Sequence, residues 1–259
     1  MKKKILAILL TAALCLGFGI LSGCGTSQSA ATTAPSAAAT EEPTATATAT
    51  AAPTAEPATV YVTISDAGSL VVAQQPVAVT DEDGDGTLTV NDALIAAHDS
   101  FYPGGAAAGY AAEEGQYGLS ITELWGVKNG GSYGYYVNNV ASMSLADPVA
   151  DGDYLTAFAY ADLVNFSDAY SYFDSQTATV ATGADLTLKL AYVGLDASFN
   201  PVENPAAGVT ITVDGEQTEY VTGDDGTVTV SFAGAGTHVV SAISDTLTLV
   251  PPVCTVTVG

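Results

Sequence analysis

The sequence predicts a two-part fold, an α+β unit with one helix on a small mixed sheet followed by an all-β sandwich, behind a disordered N-terminal tether. Three observations predict it. Residues 25–58 are mostly Ala, Thr, Ser and Pro, a composition that cannot bury enough apolar area to offset its ordering entropy. One segment, Val90–Phe101, carries helical periodicity among strands that alternate. Beyond Asp174 only the period of two remains.

The N-terminus reads as a leader. Lys2, Lys3 and Lys4 precede an apolar run from Ile5 to Ile20, short for a membrane span and lacking a basic flank behind it, as in a secretory signal. "LSGC", Leu21–Cys24, resembles a bacterial lipobox. That resemblance implies cleavage before Cys24, lipidation of its sulfur, and anchoring on the outer face of the cytoplasmic membrane. Residues 1–23 are then the signal peptide and 24–58 the tether, spanning roughly 30 Å as a coil and about 100 Å when stiffened by proline.

Loss of the leader leaves Lys128 and Lys189 against 28 acidic residues, a net charge of −26, with no arginine. Nucleic acid, which needs cationic phosphate contacts, is excluded as a partner. Anionic ligands are repelled, so cations and neutral molecules remain. Cys15 leaves with the leader and Cys24 is the lipid site. Cys254, in "VPPVCTVTV", reads as a buried strand residue.

The α+β unit is predicted over 59–174. "VYVTIS" (Val60–Ser65) and "QPVAVT" (Gln75–Thr80) alternate as strands. In the helix that follows, Val90, Leu94, Ala97 and Phe101 share one face, and "YPGG" (Tyr102–Gly105) stops it. "GLSITELWG", "YGYYVNN" and "DYLTAFAYA" are further strands. Over 175–259, "LTLKLAYV", "GVTITVDG", "TEYVT", "GTVTVSF", "THVVSAIS", "LTLV" and "CTVTV" are short strands separated by turns such as Asp214-Gly215, the pattern of a β-sandwich.

Between the second strand and the helix lies "TDEDGDGTLTVNDAL" (Thr80–Leu94). A calcium loop of the EF-hand type takes oxygen ligands at positions 1, 3, 5, 7, 9 and 12, with glycine at 6. Counting from Asp81, these are Asp81, Asp83, Asp85, the Thr87 carbonyl, a water held by Thr89, and Asp92, with Gly86 at 6. Ca2+ wants six to eight hard oxygens, and clustered carboxylates repel without a cation. Thr89 with Asp92 also spells a helix capping box, which is compatible with the metal reading. The strand–loop–helix order and the aspartate at position 12 resemble dockerins, although one copy argues against cohesin binding, which takes two.

"YGLSITELWG" and "SYGYYVNNVASMSLADPVADGDYLTAFAY" resemble the β-grasp module found at the C-terminus of transcobalamin and intrinsic factor and in many bacterial surface proteins. The pattern is a Gly-bounded strand (Leu119–Gly126), an aromatic strand ending in Asn (Tyr133–Asn139), and a "DGD" turn (Asp151–Asp153) before a last strand (Tyr154–Tyr160). The resemblance implies an extracellular module that binds a ligand or partner. Corrinoid capture is an analogy only, because the helical domain that completes that site has no counterpart here. "VTGDDGTVTVSFAGAGTHVVSA" resembles the second half of bacterial Ig-like surface modules.

Trp125, Tyr133, Tyr135 and Tyr136 surround a Gly-rich turn, with Asn138 and Asn139 nearby, a set suited to a flat neutral ligand or a sugar face. The same alternation also fits a core strand, with Tyr133 and Tyr135 on one face and Tyr136 on the other. His98 and His238 fall in different units without a nucleophile at a useful spacing, and no hydrolase or redox motif is present, so the chain is read as a non-enzyme. The expected function is a membrane-anchored extracellular calcium-binding lipoprotein that binds a small neutral or cationic ligand or a glycan. The alternatives are a structural or adhesive protein bound to cell-wall polymer, and a ligand-capture component feeding a transporter.

Overall fold

The computed structural model describes residues 55–198 and 200–259. The leader at 1–23, the lipidation site Cys24 and nearly all of the tether lie outside the described residues. No described helix is long and apolar enough to cross a membrane. The molecule is predominantly β, with several sheets.

The first half contains β1 (Ala58–Asp66), β2 (Ser69–Val79), α1 (Val90–Phe101), α2 (Ala106–Gly109), β3 (Ala111–Gly115), β4 (Gly118–Glu123), β5 (Tyr133–Val137), β6 (Val140–Ala141) and β7 (Tyr154–Ala159). Its main sheet runs β2-β1-β7-β5-β6. The central pair, β1 and β7, is parallel from Tyr61↔Tyr154 to Asp66↔Ala159, and the other pairs are antiparallel. A parallel pair needs a crossover connection, and α1 lies within it. Helix residues Val90, Ala93, Leu94 and Ala97 are fully buried with Val60, Val62, Ile64, Leu155 and Ala157.

Two expectations for this half change. Phe101, assigned to the inner helix face, is 41% exposed because α1 ends there, while His98 is fully buried on the inner side. Strand β2 begins at Ser69, six residues before the predicted start. It is kinked at Gln74, whose φ of +47° accompanies a register shift opposite Val62–Ile64, as at a β-bulge. The β3–β4 hairpin forms a separate two-stranded sheet.

The second half contains β8 (Ala169–Phe173), β9 (Thr177–Val180), β10 (Asp185–Leu195), β11 (Pro201–Pro205), β12 (Thr210–Val213), β13 (Glu216–Val221), β14 (Thr227–Ser231), β15 (Gly236–Ile243), β16 (Leu249–Val250) and β17 (Cys254–Val258). One sheet runs β11-β10-β8-β16, with β14 also on β10, and the other runs β13-β12-β15-β17-β9. Between them Phe173, Leu188, Leu190, Ile211, Val230 and Val256 form the core. Cys254 is fully buried there, and burial, with Asp174 nearby, pushes its thiol up to about 12.

The division between the halves falls before β8, in residues 160–168, and not at Asp174. β8 pairs with β10 and β16. The halves share a buried seam of Phe158, Tyr170 and Val250, with Tyr136, Tyr160, Tyr172 and Val193 packed around them. Tyr136 stacks on Tyr170 at 3.6 Å between centroids, and the Tyr170 hydroxyl donates to Asn139 Oδ1 at 2.9 Å. Gln74 Nε2 donates to Gln176 O at 2.9 Å and Thr255 Oγ1 at 3.1 Å. A polar cavity of about 20 Å³ beside it, lined by Thr63, Thr156, Asn139 and Ser171 among others, has room for about one water.

Candidate metal loop and aromatic face

Between β2 and α1 the chain folds around Asp81. Its Oδ1 accepts from Gly84 N (2.8 Å) and Asp85 N (3.2 Å), and its Oδ2 from Gly86 N (2.8 Å). Gly86 takes φ +92°, a left-handed conformation that suits glycine. Asp83 Oδ1 accepts from Asp85 N and Asp85 Oδ1 from Thr87 N. These turns bring one carboxylate oxygen from each of Asp81, Asp83 and Asp85 within 4.8 Å of one another.

Electrostatics differ within the trio. At Asp81 burial is the largest single influence and raises the carboxyl, but backbone donors from Gly86, Gly84, Ala55 and Asp85 together hold it below its ordinary value. At Asp83 the Asp85 amide is the largest influence and lowers it. Desolvation and the charges of Asp85 and Asp92 outweigh that amide and raise it. A cation beside Asp83 would favour its ionised form.

Asp92 lies outside that 4.8 Å trio. It is 2% exposed and caps α1. Its Oδ2 accepts from Thr89 N (2.9 Å) and Thr89 Oγ1 (2.6 Å), while its Oδ1 accepts from Glu82 N at 3.3 Å. Asp92 N donates back to Thr89 Oγ1. The donor set fits a hard cation with three carboxylates at positions 1, 3 and 5. Thr87 stands in the loop at position 7, and Asp92 is engaged as a cap. The loop exit is tied down by a different segment: Val149 N donates to Leu88 O (2.9 Å), Val90 N to Asp147 O (3.0 Å) and Asn91 N to Leu145 O (2.9 Å). Leu88, at position 8, is buried.

The four predicted ligand aromatics do not form one cluster. Tyr133 lies with its hydroxyl 3.0 Å from Thr122 O and 2.8 Å from Val127 O, and accepts from Asn129 N at 3.2 Å. It therefore stitches the 122–132 turn. Tyr135 packs on the first core, and burial, then Asp147, raises its hydroxyl. Tyr136 faces the seam on the other side of the sheet. Trp125 is half-buried and packs against Tyr102, edge to face at 5.0 Å, and His98 at 5.2 Å.

Other side chains take settings that only the fold reveals. His98 lies four residues after Leu94 on the inner face of α1, a spacing that could have flagged it. Tyr110, whose hydroxyl donates to Asn91 Oδ1 at 2.8 Å, helps line an apolar groove of about 320 Å³ with Ile95, Ala106, Ala112 and Leu119. No local pattern announces that groove. In the second half His238 Nδ1 meets Asp214 Oδ2 at 2.7 Å. Asp151 and Asp153 form the predicted turn: Asp151 Oδ1 accepts from Thr59 N and Asp153 Oδ2 from Ala150 N.

No family model matches the chain, and no curated protein matches it. Among solved structures it is similar to the four N-terminal Ig domains of Dscam1. For isoforms 4.44, 4.4 and 6.9 the identity is 10%, 9% and 11%, and the TM-score is 0.23 in each case. The alignments cover 80% of this chain and 46%, 47% and 46% of those chains, so this chain spans about half their length. At that TM-score the likeness carries no argument about fold or function.

Proposed function

We propose that the chain is a membrane-anchored extracellular lipoprotein, held through Cys24, in which a calcium-bearing β-grasp module and an Ig-like sandwich together serve as a binding module for a small neutral or cationic ligand or a glycan. The β-grasp reading is supported by the strand order β2-β1-β7-β5-β6 with its parallel central pair. The Ig-like reading is supported by the two facing sheets behind it.

The observation that carries the calcium reading is the convergence of Asp81, Asp83 and Asp85 around a glycine turn that leads directly into a capped helix. Calcium bound there would relieve carboxylate repulsion and order the start of α1. For the ligand, the half-buried Trp125 and the neighbouring groove beside Tyr110 offer apolar surface on a chain whose charge disfavours anions.

A thermal melt of the full chain with calcium against chelator tests the metal. The expected result is a higher midpoint with calcium, worth about 2.7 kcal/mol at 100 times the dissociation constant. An unchanged midpoint, or an Asp81→Ala, Asp85→Ala double variant that responds as the parent does, leaves a capping turn only. Trp125 is the sole tryptophan, so its fluorescence follows titrations with neutral oligosaccharides, peptidoglycan fragments and corrinoids. Tyr133 and Tyr136 are held by internal contacts, and this favours the adhesive or spacer role as the second reading.

A further inference from the structure

Leu124 and Val127 exchange both backbone hydrogen bonds, 3.1 and 2.9 Å, so Trp125 and Gly126 are the central pair of a tight hairpin turn. Both are left-handed, with φ of +52° and +78°. Asn or Asp followed by Gly is the favoured pair for such a turn. A bulky residue at positive φ is an outlier that persists only where its surroundings over-determine it.

The surroundings here are specific. Trp125 N–H donates to His98 Nε2 at 3.1 Å, and Gly126 N–H to Gly109 O at 2.8 Å. The imidazole lies between the rings of Tyr110 (5.0 Å), Trp125 (5.2 Å) and Tyr102 (6.0 Å) and has no solvent exposure. Its other nitrogen, Nδ1, is 2.6 Å from Leu94 O. A carbonyl can only accept and a backbone N–H can only donate, so the partners fix His98 as the neutral ring with its proton on Nδ1. A second proton would have to enter at Nε2. There it would face the Trp125 N–H, donor against donor, in a site closed to water.

We propose that His98 is a protonation-sensitive latch for the Trp125 turn. Acidification removes the acceptor that holds the Trp125 amide, and the Leu124–Val127 hairpin lets go of the helix. The carboxylates acting on the ring are Asp99, on its own helix, and Glu123, at the end of β4, and both favour the charged form. Tyr102 and Tyr110 complete the walls. Asp99 is turned to Ala106 N at 2.7 Å and Glu123 to Lys128 at 3.1 Å. Burial is the largest influence and opposes the charge, so His98 gains its proton below the ordinary value of 6.5. The latch is closed at neutral pH and opens in an acidic medium.

The test follows Trp125 emission of the full chain against pH, beside far-UV circular dichroism. The expected result is an emission transition with a midpoint below 6.5 that precedes loss of secondary structure. It is absent in His98→Gln, whose side-chain carbonyl accepts at every pH. Across the same transition, exchange of the Trp125 amide, corrected for intrinsic pH dependence, should speed up about tenfold, the size of one hydrogen bond. Emission that stays flat until global unfolding, or an unchanged transition in His98→Gln, overturns the proposal. Should that variant fail to fold, the imidazole nitrogen shifts of the parent decide: the expected result is an Nδ1-protonated ring at neutral pH whose titration moves the Trp125 amide. An Nε2-protonated ring, or a Trp125 amide blind to the titration, overturns it.

Discussion

His238 shows how far one side chain's setting can be read from a strand pattern. Alternation in "THVVSAIS" marks the strand, but nothing local says that Asp214, in the turn after β12, reaches it. Their contact joins residues 24 apart through β12–β15 pairing. The hydrogen bond that His238 Nδ1 donates to Asp214 raises the imidazole, with Gly234 O assisting, and Asp214 is lowered: burial alone would raise it, but His238 and the Val239 amide outweigh that. A group with a raised folded value stabilises fully below its unfolded value of 6.5 and loses that contribution as pH rises through the folded value. The thermal midpoint should therefore climb as pH falls through the raised value toward 6.5, by about one to two degrees, the size expected of a half-exposed pair. Asp214→Asn should abolish the climb while leaving the fold intact. If the parent and Asp214→Asn trace the same curve, the pair is energetically silent.

Among the elements, α1 was the most legible, because its periodicity, its capping box and its stop signal agree. Strand β3, "AAEEG", was not, since alanine and glutamate carry no alternation and its pairing with β4 alone defines it. The front half of β2 was missed for a related reason: the bulge at Gln74 breaks its period of two. Glycine at 134 is fixed by packing, for a Cβ there would run into the ring of Phe158 on the neighbouring strand. In the acidic loop the capping role of Asp92 is legible beside Thr89, whereas the hold of Asp81 on three backbone amides is not. Asp81 organises the loop, whereas Asp92 holds the helix start and accepts from Thr89 and Glu82. The two should separate by experiment. Asp92→Ala strips acceptors from three donors and should lower the midpoint in chelator, by about 2 kcal/mol as a lost cap with unsatisfied groups. Asp81→Ala should change the chelator midpoint less and remove the response to calcium. Equal losses in chelator would place Asp92 and Asp81 in one role.

At the scale of the whole molecule, a boundary at Asp174 looked natural because helical periodicity is absent beyond it. Strand β8 instead joins the second half, and the seam is built from tyrosines that no sequence pattern assigns to an interface. Tyr136, a candidate ligand aromatic or core residue by sequence, is partly buried in the seam and stacked on Tyr170. The two halves should accordingly unfold in a single transition. Tyr136→Ala should lower that transition as a whole, by roughly 2–4 kcal/mol for a stacked, largely covered aromatic, with no early melt of either half. Calorimetry that resolves two transitions in the parent, only one of them moved by Tyr136→Ala, would mean that the seam does not couple them.

The place of β1 in its sheet has a mechanical consequence. The chain before Ala58 enters the fold through a central strand, bonded to β2 on one side and β7 on the other. A pull along that chain slides β1 lengthwise between its neighbours. The bonds of both ladders then carry the load together instead of opening one after another. A protein tethered by its N-terminus and exposed to flow or shear would thus meet force along both ladders of β1, and its lifetime under load would be set by the rate at which that one strand is extracted.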